Sequence, residues 1–541
     1  MKAQQEQYRG LRIRITDMTN TECADLTWVG YNKYLGDRIR RVDYNSFNLW
    51  TLYKAGAIFS AELSQEFKKM FANTLSKPLQ ISTNLPLRKY QKKGVSSLFT
   101  KQGNALLADE PGLGKTCQSI AYLMVARIKR VIIVCPAHLK LNWQEEFAKF
   151  WTDEHVEVIF GRTVYQIPSS KTIIIINRQI LDNWIEELLA TDPQQLIIDE
   201  AHECCNPRSG YYTNVLRLDQ HTKKTILITG TPLLNKSKDL WVLASIINIR
   251  VLGVYTAFLN RFCPEEAYAT KQSYGKPKFG KKIWLKEKKV KDNTENLILL
   301  NTMLRRTFMI RRLKSEVAKE LPKKIRQIIH VKLKNSAVMR AEKKIKEREE
   351  KLNPDITITK SMLDRYSVIR MQLGLAKVKT AVEFIKNFLI ENPNKKIVVV
   401  GWHILVTEEL HKAFKKQSYL INGKATPTAQ KKHAIIKAFS QPDTLTILVA
   451  NIKSIETGLN IPIADYLLVV ELPYTGASLS QLEDRLHRLG KIAKMVMYYY
   501  MIIQGTLEDK IFDNIIKKQK DMNRAIDGMA GATLEDAEIV R

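Results

Sequence analysis

The stretch ALLADEPGLGKT, residues 105 to 116, decides the fold class and gives the first functional hypothesis. Its apolar beginning is typical of a buried parallel strand, and its glycine-rich end is typical of a loop that opens a helix. Backbone N–H groups of such a loop wrap phosphate oxygens, and the lysine ammonium neutralises their charge. A Gly-Lys-Thr alone is a weak signal, because Asp109 stands where the usual pattern has glycine.

A second motif makes the nucleotide interpretation much stronger. The tetrad Asp199-Glu200-Ala201-His202 follows the apolar run Leu196-Ile197-Ile198. Taken alone, the tetrad would be an acidic cluster at a strand end. Behind a phosphate loop, and at the carboxyl end of a second parallel strand, it supplies the carboxylates that hold magnesium and position a water. The two motifs together predict an α/β ATPase that uses ATP and Mg²⁺.

The chemistry assigns a role to each of four residues. We expect Lys115 to pair with the β- and γ-phosphates and the Thr116 hydroxyl to coordinate magnesium. Asp199 is expected to bind the same ion, directly or through water. Glu200 is placed to orient or deprotonate the attacking water.

Length and composition limit the class of protein. A chain of 541 residues predicts about three or four domains. No apolar run approaches the length of a membrane span, and the N-terminus lacks the apolar core of a secretory signal. The six cysteines have no C-x-x-C spacing, which favours reduced thiols. We therefore expect no membrane partner, and a cytoplasmic protein in bacteria or virus-infected cells or a nuclear one in eukaryotes.

The charge indicates the partner. Lysine and arginine number 86 against 55 acidic residues, a formal net charge of +31, which favours nucleic acid over a merely basic soluble surface. Nine lysines lie between Lys271 and Lys291, and we expect Lys281 and Lys282 to contact DNA phosphates. Double-stranded or branched DNA is the predicted partner of a monomer; no protein partner is indicated.

Alternation of β-branched runs with helical patterns appears twice, and it predicts two parallel-sheet lobes with a cleft between them. For the N-terminal region two interpretations remain, a small DNA-contacting accessory domain or a small fold packed on the next domain. The predicted order is an accessory region over 1–80, a first lobe with a basic insertion over 81–325, a helical linker over 326–374, a second lobe over 375–525 and a flexible tail over 526–541.

Two later segments complete the machinery. Thr229 and Thr231 follow the run Leu227-Ile228, where small hydroxyl residues suit a transmission element that hydrogen-bonds neighbouring loops. Arg485 and Arg488 share a helix face, as a pair of arginine fingers on the second lobe would require when the lobes close over ATP. The alternative for this pair is surface salt bridging with the adjacent acidic residues, Glu483 and Asp484.

The ordered set of motifs resembles the Swi/Snf-type DNA-dependent ATPases of helicase superfamily 2, in which an acidic residue at position 109 is usual. Within this family the segments 261–263, 374–377 and 400–403 look most like the annealing-helicase, HARP-like branch. The stretches that carry the family resemblance are 87–91, 109–116, 136–147, 199–209, 227–241, 308–314, 321–324, 397–403, 458–460 and 481–490.

The resemblance implies two RecA-like lobes with helical insertions, and it implies roles for further residues. Three positions depart from the family pattern: Asn177-Arg178, the pair Ile455-Glu456 in place of two glycines, and Lys491 in place of glutamine. The residues expected to contact ATP are Arg88, Gln91, Asp109, Gly112, Gly114 and Gly458. Those expected to contact DNA or to couple it to hydrolysis are Pro136, Asn142, Asn460 and His487, besides Thr229 and Thr231.

Three functions remain open at this point. The first is an ATP-driven translocase on duplex DNA that remodels branched or protein-bound DNA in repair, recombination or replication. The second is a strand-separating DEAH helicase on DNA or RNA. The third is a basic nucleic-acid-binding scaffold with an inactive ATPase, against which the intact catalytic residues argue.

Overall fold

A computed structural model describes most of the chain as two compact units, with the border between Val317 and Ala318. The described residues are 1–7, 11–18, 32–36, 39–71, 85–151, 155–230, 238–247, 251–263, 294–318, 321–332, 367–442, 444–456, 461, 463–488, 491, 493, 495–513, 515 and 539–540. None of the helices in these ranges is long and apolar enough to cross a bilayer.

The first unit begins with a small five-stranded sheet. Its strand order is β3-β4-β2-β1-β5, and all its pairs are antiparallel except that of β1 with β5. Along β2 the side chains of Ile13 and Ile15 are buried, so this face packs on two helices. The elements are β1 (Lys2–Gln7), β2 (Leu11–Thr16), β3 (Asn32–Gly36), β4 (Ile39–Asp43), α1 (Ser46–Lys54), β5 (Ile58–Phe59) and α2 (Ala61–Met70).

This small sheet and its helices share one hydrophobic core with the rest of the first unit. The rings of Phe47 and Phe262 stack with centroids 5.1 Å apart. The guanidinium of Arg306 lies 4.2 Å from the centre of the Trp50 ring. The described N-terminal residues therefore form a small fold that packs on the rest of the first unit. Whether this fold also contacts DNA stays a separate prediction.

A seven-stranded parallel sheet follows in the order β12-β6-β11-β10-β7-β9-β8. Its central strands are buried throughout, because helices cover both faces. The elements are α3 (Lys89–Thr100), β6 (Ala105–Leu107), α4 (Lys115–Val125), β7 (Val131–Cys135), α5 (Lys140–Phe150), β8 (Val156–Val158), β9 (Ile173–Asn177), α6 (Leu181–Ala190), β10 (Gln195–Asp199), α7 (Gly210–Thr222), β11 (Thr225–Ile228), α8 (Lys238–Ile247), α9 (Tyr255–Phe262), α10 (Thr294–Thr307), β12 (Met309–Ile310) and α11 (Lys314–Val317).

The second unit holds another seven-stranded parallel sheet, in the order β15-β16-β14-β17-β18-β13-β19. The predicted α/β fold with two parallel sheets and a small N-terminal domain is confirmed. The elements are β13 (Lys323–Val331), α12 (Ser367–Glu391), β14 (Ile397–Gly401), α13 (Ile404–Ala413), β15 (Ser418–Ile421), α14 (Ala429–Phe439), β16 (Ile447–Asn451), α15 (Ile452–Glu456), β17 (Tyr466–Val469), α16 (Gly476–Leu486), β18 (Met495–Ile503) and β19 (Ile539–Val540).

Two segments differ from the sequence-based expectation. Residues 539 and 540, assigned to a flexible tail, form strand β19, which pairs with β13. Residues 326 to 331, assigned to a helical linker, belong to strand β13, which pairs along its whole length with β18. The charged side chains of Lys324 and Arg326 conceal this strand in the sequence. Acidic partners inside the second unit neutralise both cations, so a charged strand becomes compatible with burial.

Candidate active site

The phosphate loop lies between β6 and α4, and its backbone explains its glycines. Gly112 and Gly114 have φ values of +86° and +74°, in the left-handed region that side chains rarely adopt. A β-carbon at Gly114 would collide with the amide of Gln91. Glycine at these positions therefore lets α4 begin at Lys115 with its first N–H groups directed at the loop.

Lys115 lies at the centre of this edge of the sheet. Its Nζ donates hydrogen bonds to the carbonyl of Asp109 at 2.9 Å and to that of Glu110 at 3.4 Å. Burial lowers the pKa of Lys115, while the carboxylates of Glu200, Asp109 and Asp199 act in the opposite direction. Two backbone carbonyls thus hold the amine, and the nearby carboxylates offset part of the effect of burial on its pKa.

Asp199 ends β10, next to β7 and β11 in the sheet. Burial and the charge of Glu200 raise the pKa of Asp199 to about 6. Two donors oppose this rise: the indole Nε1 of Trp143, 2.9 Å from Oδ2, and the backbone N–H of Glu200, 2.9 Å from Oδ1. Trp143 is fully buried, so its indole fixes the orientation of the carboxylate.

Glu200 occupies a left-handed conformation, with φ 49° and ψ 49°. Its Oε2 lies 3.3 Å from His202 Nδ1, which is 3.1 Å from the hydroxyl of Thr229. Burial would lower the pKa of His202, but the hydrogen bond and charge of Glu200 outweigh it and the pKa is raised. These contacts connect Glu200 of the DEAH tetrad with Thr229, the residue expected to transmit changes at the nucleotide site to neighbouring loops.

Gly230 brings the loop after β11 against the phosphate loop. A β-carbon at Gly230 would lie 2.6 Å from Pro111 Cγ and 3.3 Å from Lys115 Nζ. Lys115, Thr116, Asp199, Glu200 and Thr229, predicted from separate motifs, therefore lie at the carboxyl edge of one sheet.

Helix α3 supports the phosphate loop from the side. Gln91 Nε2 donates to the carbonyl of Leu113 at 3.3 Å, and the Tyr90 hydroxyl donates to the same carbonyl at 3.2 Å. Gln91 Oε1 also accepts the backbone N–H of Arg88 at 2.8 Å. The arginine side chain is exposed, so both residues are placed beside the loop as a nucleotide-binding role requires.

Asp109 has a different role from the one expected. Its side chain is fully buried, and it accepts hydrogen bonds from the side chains of Arg312 and Gln118. The carboxylate therefore belongs to an internal network, and its placement does not support the predicted direct contact with ATP.

Arg311 was not singled out from the sequence. Its NH1 donates to the carbonyl of Ala108 at 2.7 Å and to that of Gly230 at 3.1 Å, so one guanidinium joins the loops after β6 and β11. The sequence feature that could have indicated this role is a pair of arginines directly after a short buried strand, β12.

The edge after β7 carries Pro136 and Asn142, both partly exposed as a DNA-contacting role requires. Between them, the Nζ of Lys140 is buried and donates to the carbonyl of Ile159 at 2.7 Å and to Asn177 Oδ1 at 2.9 Å. This bond explains the departure at Asn177, whose side chain holds the start of α5 in place.

In the second unit, α16 carries Arg485, but the helix ends at Leu486 and Arg488 lies beyond it, so the predicted common helix face for the two arginines is wrong. Burial and the neighbouring charge of Arg485 lower the pKa of Arg488 to about 10, so it is charged at neutral pH. The adjacent acids are engaged by β13. Both oxygens of Glu483 accept bonds of 2.7 Å from Arg326, and Asp484 lies 2.9 Å from Lys324.

His487 is buried, and its Nε2 lies 2.8 Å from the carbonyl of Pro322. Of the two predicted roles, contact with DNA or coupling to hydrolysis, this interior position favours coupling. Lys491, where the family pattern has glutamine, lies 3.0 Å from Asp465. The predicted residues outside the described ranges are Thr231, Lys281, Lys282, Gly458 and Asn460.

Comparison with known proteins gives two family matches. Residues 90–373 match the SNF2-related domain, and residues 377–490 match the helicase conserved C-terminal domain.

Curated relatives align over most of this chain. The DNA annealing helicase and endonuclease ZRANB3 of Mus musculus is 26% identical over 451 residues, 81% of this chain and 40% of that protein. The SWI/SNF-related matrix-associated actin-dependent regulator of chromatin subfamily A-like protein 1 homolog of Caenorhabditis elegans is 27% identical over 463 residues, 83% of this chain and 63% of that protein. This chain thus spans about two fifths to three fifths of the length of these relatives.

Among solved structures, the Sulfolobus solfataricus SWI2/SNF2 ATPase core in complex with dsDNA superposes with a TM-score of 0.38 and 23% identity, over 86% of this chain and all of that one.

The SNF2-related match alone covers more than half of the chain. It includes the phosphate loop, Asp199 and Glu200, which the structure gathers at one sheet edge. The helicase C-terminal match includes Arg485 and Arg488. The chain belongs to the SNF2 family of ATP-hydrolysing enzymes in helicase superfamily 2.

Proposed function

We propose that this ATPase is a double-stranded DNA translocase that remodels branched or protein-bound DNA, in repair, recombination or replication. The observation that carries the proposal is the net charge of +31 on a chain with an assembled ATP-hydrolysing edge. A polyanionic track compensates such a charge. The names of the relatives, DNA annealing helicases among them, support DNA as that track.

The residues of the ATPase edge fit a magnesium ion. Asp199 and Glu200 place two carboxylates together, and their proximity and burial raise the pKa of Asp199 to about 6. A divalent cation would relieve this concentration of negative charge. In the described part of the chain no group of three His, Cys, Asp or Glu side chains is arranged to hold a metal ion by itself. An ion held by Asp199 and Thr116 would therefore need phosphate and water oxygens, as Mg²⁺ prefers.

The proposed mechanism assigns one role to each of the predicted site residues. Lys115 and the N–H groups at the start of α4 neutralise the phosphates. A magnesium ion held by Asp199 and Thr116 would supply Lewis-acid stabilisation of charge on phosphate oxygens. Glu200 orients the attacking water or accepts its proton. Arg485 and Arg488 are the proposed arginine fingers. His202 and Thr229 relay the state of Glu200 to the loop at Gly230.

The deciding experiment measures ATP hydrolysis with no nucleic acid, duplex DNA, forked DNA, single-stranded DNA and RNA in parallel, with Lys115→Ala as the inactive control. We expect duplex and forked DNA to stimulate hydrolysis most. A second assay follows displacement of a third strand from a triplex and unwinding of a plain duplex. A translocase displaces the triplex strand and leaves the duplex paired.

Other outcomes select the other functions. Processive unwinding of the duplex would identify a strand-separating helicase, and stimulation by RNA alone would exclude a DNA motor. Absence of hydrolysis under every condition would leave the basic scaffold. We further propose that the chain acts as a monomer, and a single species of monomer mass in sedimentation with and without ATP is the expected result.

A further inference from the structure

A short segment after α10 lies beside β6 and the beginning of the phosphate loop. This segment, residues 308 to 314, is called the loop clamp below. It begins as β12, parallel to β6, and continues past the end of that strand. Every second carbonyl of the clamp accepts a backbone N–H from the stretch 106–110: Leu106 N to Phe308 O at 3.0 Å, Ala108 N to Ile310 O at 2.8 Å, and Glu110 N to Arg312 O at 3.2 Å.

Arg312 anchors the clamp through its guanidinium. It pairs with both oxygens of Asp109, and it donates to Gln118 Oε1 at 2.6 Å and to the carbonyl of Tyr90. Its backbone N–H also reaches Asp109 Oδ1 at 3.0 Å. The Asp109 side chain is 0% exposed and that of Arg312 is 14% exposed, so this planar fork is used in a nearly dry environment.

The neighbouring helices are shaped around this guanidinium. A β-carbon at Gly94, in the middle of α3, would collide with Arg312 and with Gln118. Glycine inside a helix costs about 1 kcal/mol relative to alanine, and here it leaves the space that the arginine fills. The fit indicates a built anchoring site.

The network ends on the loop itself. The carbonyl of Leu113, between the two glycines with positive φ, accepts hydrogen bonds from the Gln118 side chain at 3.3 Å, from Gln91 at 3.3 Å and from the Tyr90 hydroxyl at 3.2 Å. Gln118 also donates to Asp109 at 3.0 Å. Arg312 therefore reaches the phosphate-facing turn through one intermediate side chain.

We propose that Arg312 is a positioning residue for nucleotide binding, and that the loop clamp sets the affinity of the phosphate loop for ATP. Arg312 acts through Asp109 and Gln118 on the carbonyl of Leu113, which orients the N–H groups at the start of α4. The clamp is also the chain that leads to the unit border at Val317 and Ala318. The proposal depends on ATP binding alone and is independent of the DNA track.

The test compares two arginines that are nearly equal in exposure and that each pair with a buried aspartate. Arg12 pairs with Asp43 at 2.7 Å, and the two side chains are 15% and 4% exposed, close to the values for Arg312 and Asp109. Arg12 lies in the N-terminal sheet, away from the loop. Lysine at either position keeps the charge and loses the planar fork.

The measurements are KM and kcat for ATP without nucleic acid, Kd for a fluorescent ADP analogue, and Tm. We expect Arg312→Lys to raise KM and Kd about tenfold, the change expected when a hydrogen bond to a charged group is lost, with kcat within about threefold of wild type. Both variants should lower Tm, by similar amounts. Arg12→Lys should leave KM and Kd unchanged.

Two results would overturn the proposal: unchanged KM and Kd in a folded Arg312→Lys variant, or equal changes in both variants. If Arg312→Lys does not fold, Gln118→Met tests the same proposal. It removes the hydrogen bond to the Leu113 carbonyl and leaves the Asp109–Arg312 pair in place. Gln118→Met also removes the Gln118 hydrogen bonds with Asp109 and Arg312, but only its bond to the Leu113 carbonyl acts on the loop itself. Loss of that one uncharged hydrogen bond should raise KM and Kd about fivefold. Wild-type values in that variant would reject the role of the clamp.

Discussion

The side chains of Glu200 and Lys115 face the same edge but serve different steps. Glu200→Gln keeps the shape of the side chain and loses its basicity, so ATP should bind while turnover falls by about 10²- to 10⁴-fold, the usual contribution of a general base. Lys115→Ala should instead weaken nucleotide binding, because a buried phosphate partner is lost. Filter binding of radiolabelled ATP and release of phosphate distinguish the two. A Glu200→Gln variant that hydrolyses ATP at the wild-type rate would remove Glu200 from the mechanism.

Trp143 allows a matched test of the Asp199 environment. Trp143→Phe keeps an aromatic ring in the core and deletes the donor to Asp199 Oδ2, so we expect kcat to fall about tenfold. Trp184 is equally buried, but its indole donates to the carbonyl of Gly161 at 3.1 Å. Trp184→Phe should therefore cost stability alone. Equal kcat values in the two variants would show that the bond to Asp199 has no catalytic consequence.

At this scale the sequence predicted the residues whose identity is dictated by phosphate chemistry: Lys115, Thr116, Asp199 and Glu200. It did not predict which side chains support them. Asp109 looked like a member of the nucleotide site because it stands in the motif, yet its partner Arg312 is about two hundred residues away in sequence. Long-range pairing of this kind has no local pattern, so only the structure could assign it.

Among the elements, β13 and α16 are joined by a buried ionic network. Burial would raise the pKa of Glu483, but Arg326 and Lys324 outweigh it and lower the pKa to about 2, from 4.5. The network therefore stabilises the fold fully above pH 4.5, and this contribution disappears as the pH falls towards about 2.

Glu483→Gln should lower stability at pH 7, and its difference from wild type should shrink as the pH falls from 4.5. Denaturant unfolding of the full chain at several pH values, followed by circular dichroism, measures this difference. Glu186→Gln is the control, because Glu186 is 77% exposed and its pair with Arg217 lies at the surface. A pH-independent difference for Glu483→Gln would mean that its charge is not what stabilises the network.

The same helix leads to the proposed arginine fingers. Arg488→Ala and Arg485→Ala should each leave nucleotide affinity nearly intact and lower kcat by about 10³-fold, the scale of arginine-finger loss. Single-turnover hydrolysis and binding of an ADP analogue separate the two effects. Unchanged kcat in both variants would assign the pair to structural ion pairing.

How well an element was predicted depended on its burial pattern. The fully buried runs, such as Ile397–Gly401 and Ile447–Asn451, were recognisable because strands covered on both faces are continuously apolar. β13 was missed, since its charged residues depend on partners from α16 for burial. β12 has only two residues and carries no periodicity. In the N-terminal sheet β2 alternates polar and apolar residues and β1 is almost entirely polar, so neither strand contains a continuous apolar run.

For the molecule as a whole, the charge of +31 has a measurable consequence. Stimulation of ATP hydrolysis by duplex DNA should fall steeply with salt, because phosphate neutralisation releases counterions. Changing four lysines of the basic insertion to glutamine should raise the DNA concentration needed for half-maximal stimulation and spare basal hydrolysis. The four positions are Lys281, Lys282, Lys288 and Lys289.

A control removes equal charge elsewhere, from exposed lysines of the second unit, so that net charge and location are separated. A similar loss of stimulation in the control would show that overall charge suffices and that the insertion has no special role. The control positions are Lys412, Lys415, Lys416 and Lys424.

The left-handed backbone of Glu200 lowers the stability of the fold at a position where the proposed catalytic role requires a glutamate side chain. An L-residue in this conformation costs about 1 kcal/mol or more, whereas glycine adopts it freely. Selection for stability alone would therefore favour glycine at position 200, and the proposed role of Glu200 in turnover accounts for glutamate there. The strained backbone directly after β10 is then a cost carried for the proposed function, and heat-resistant descendants of this enzyme would have to gain their stability at other positions.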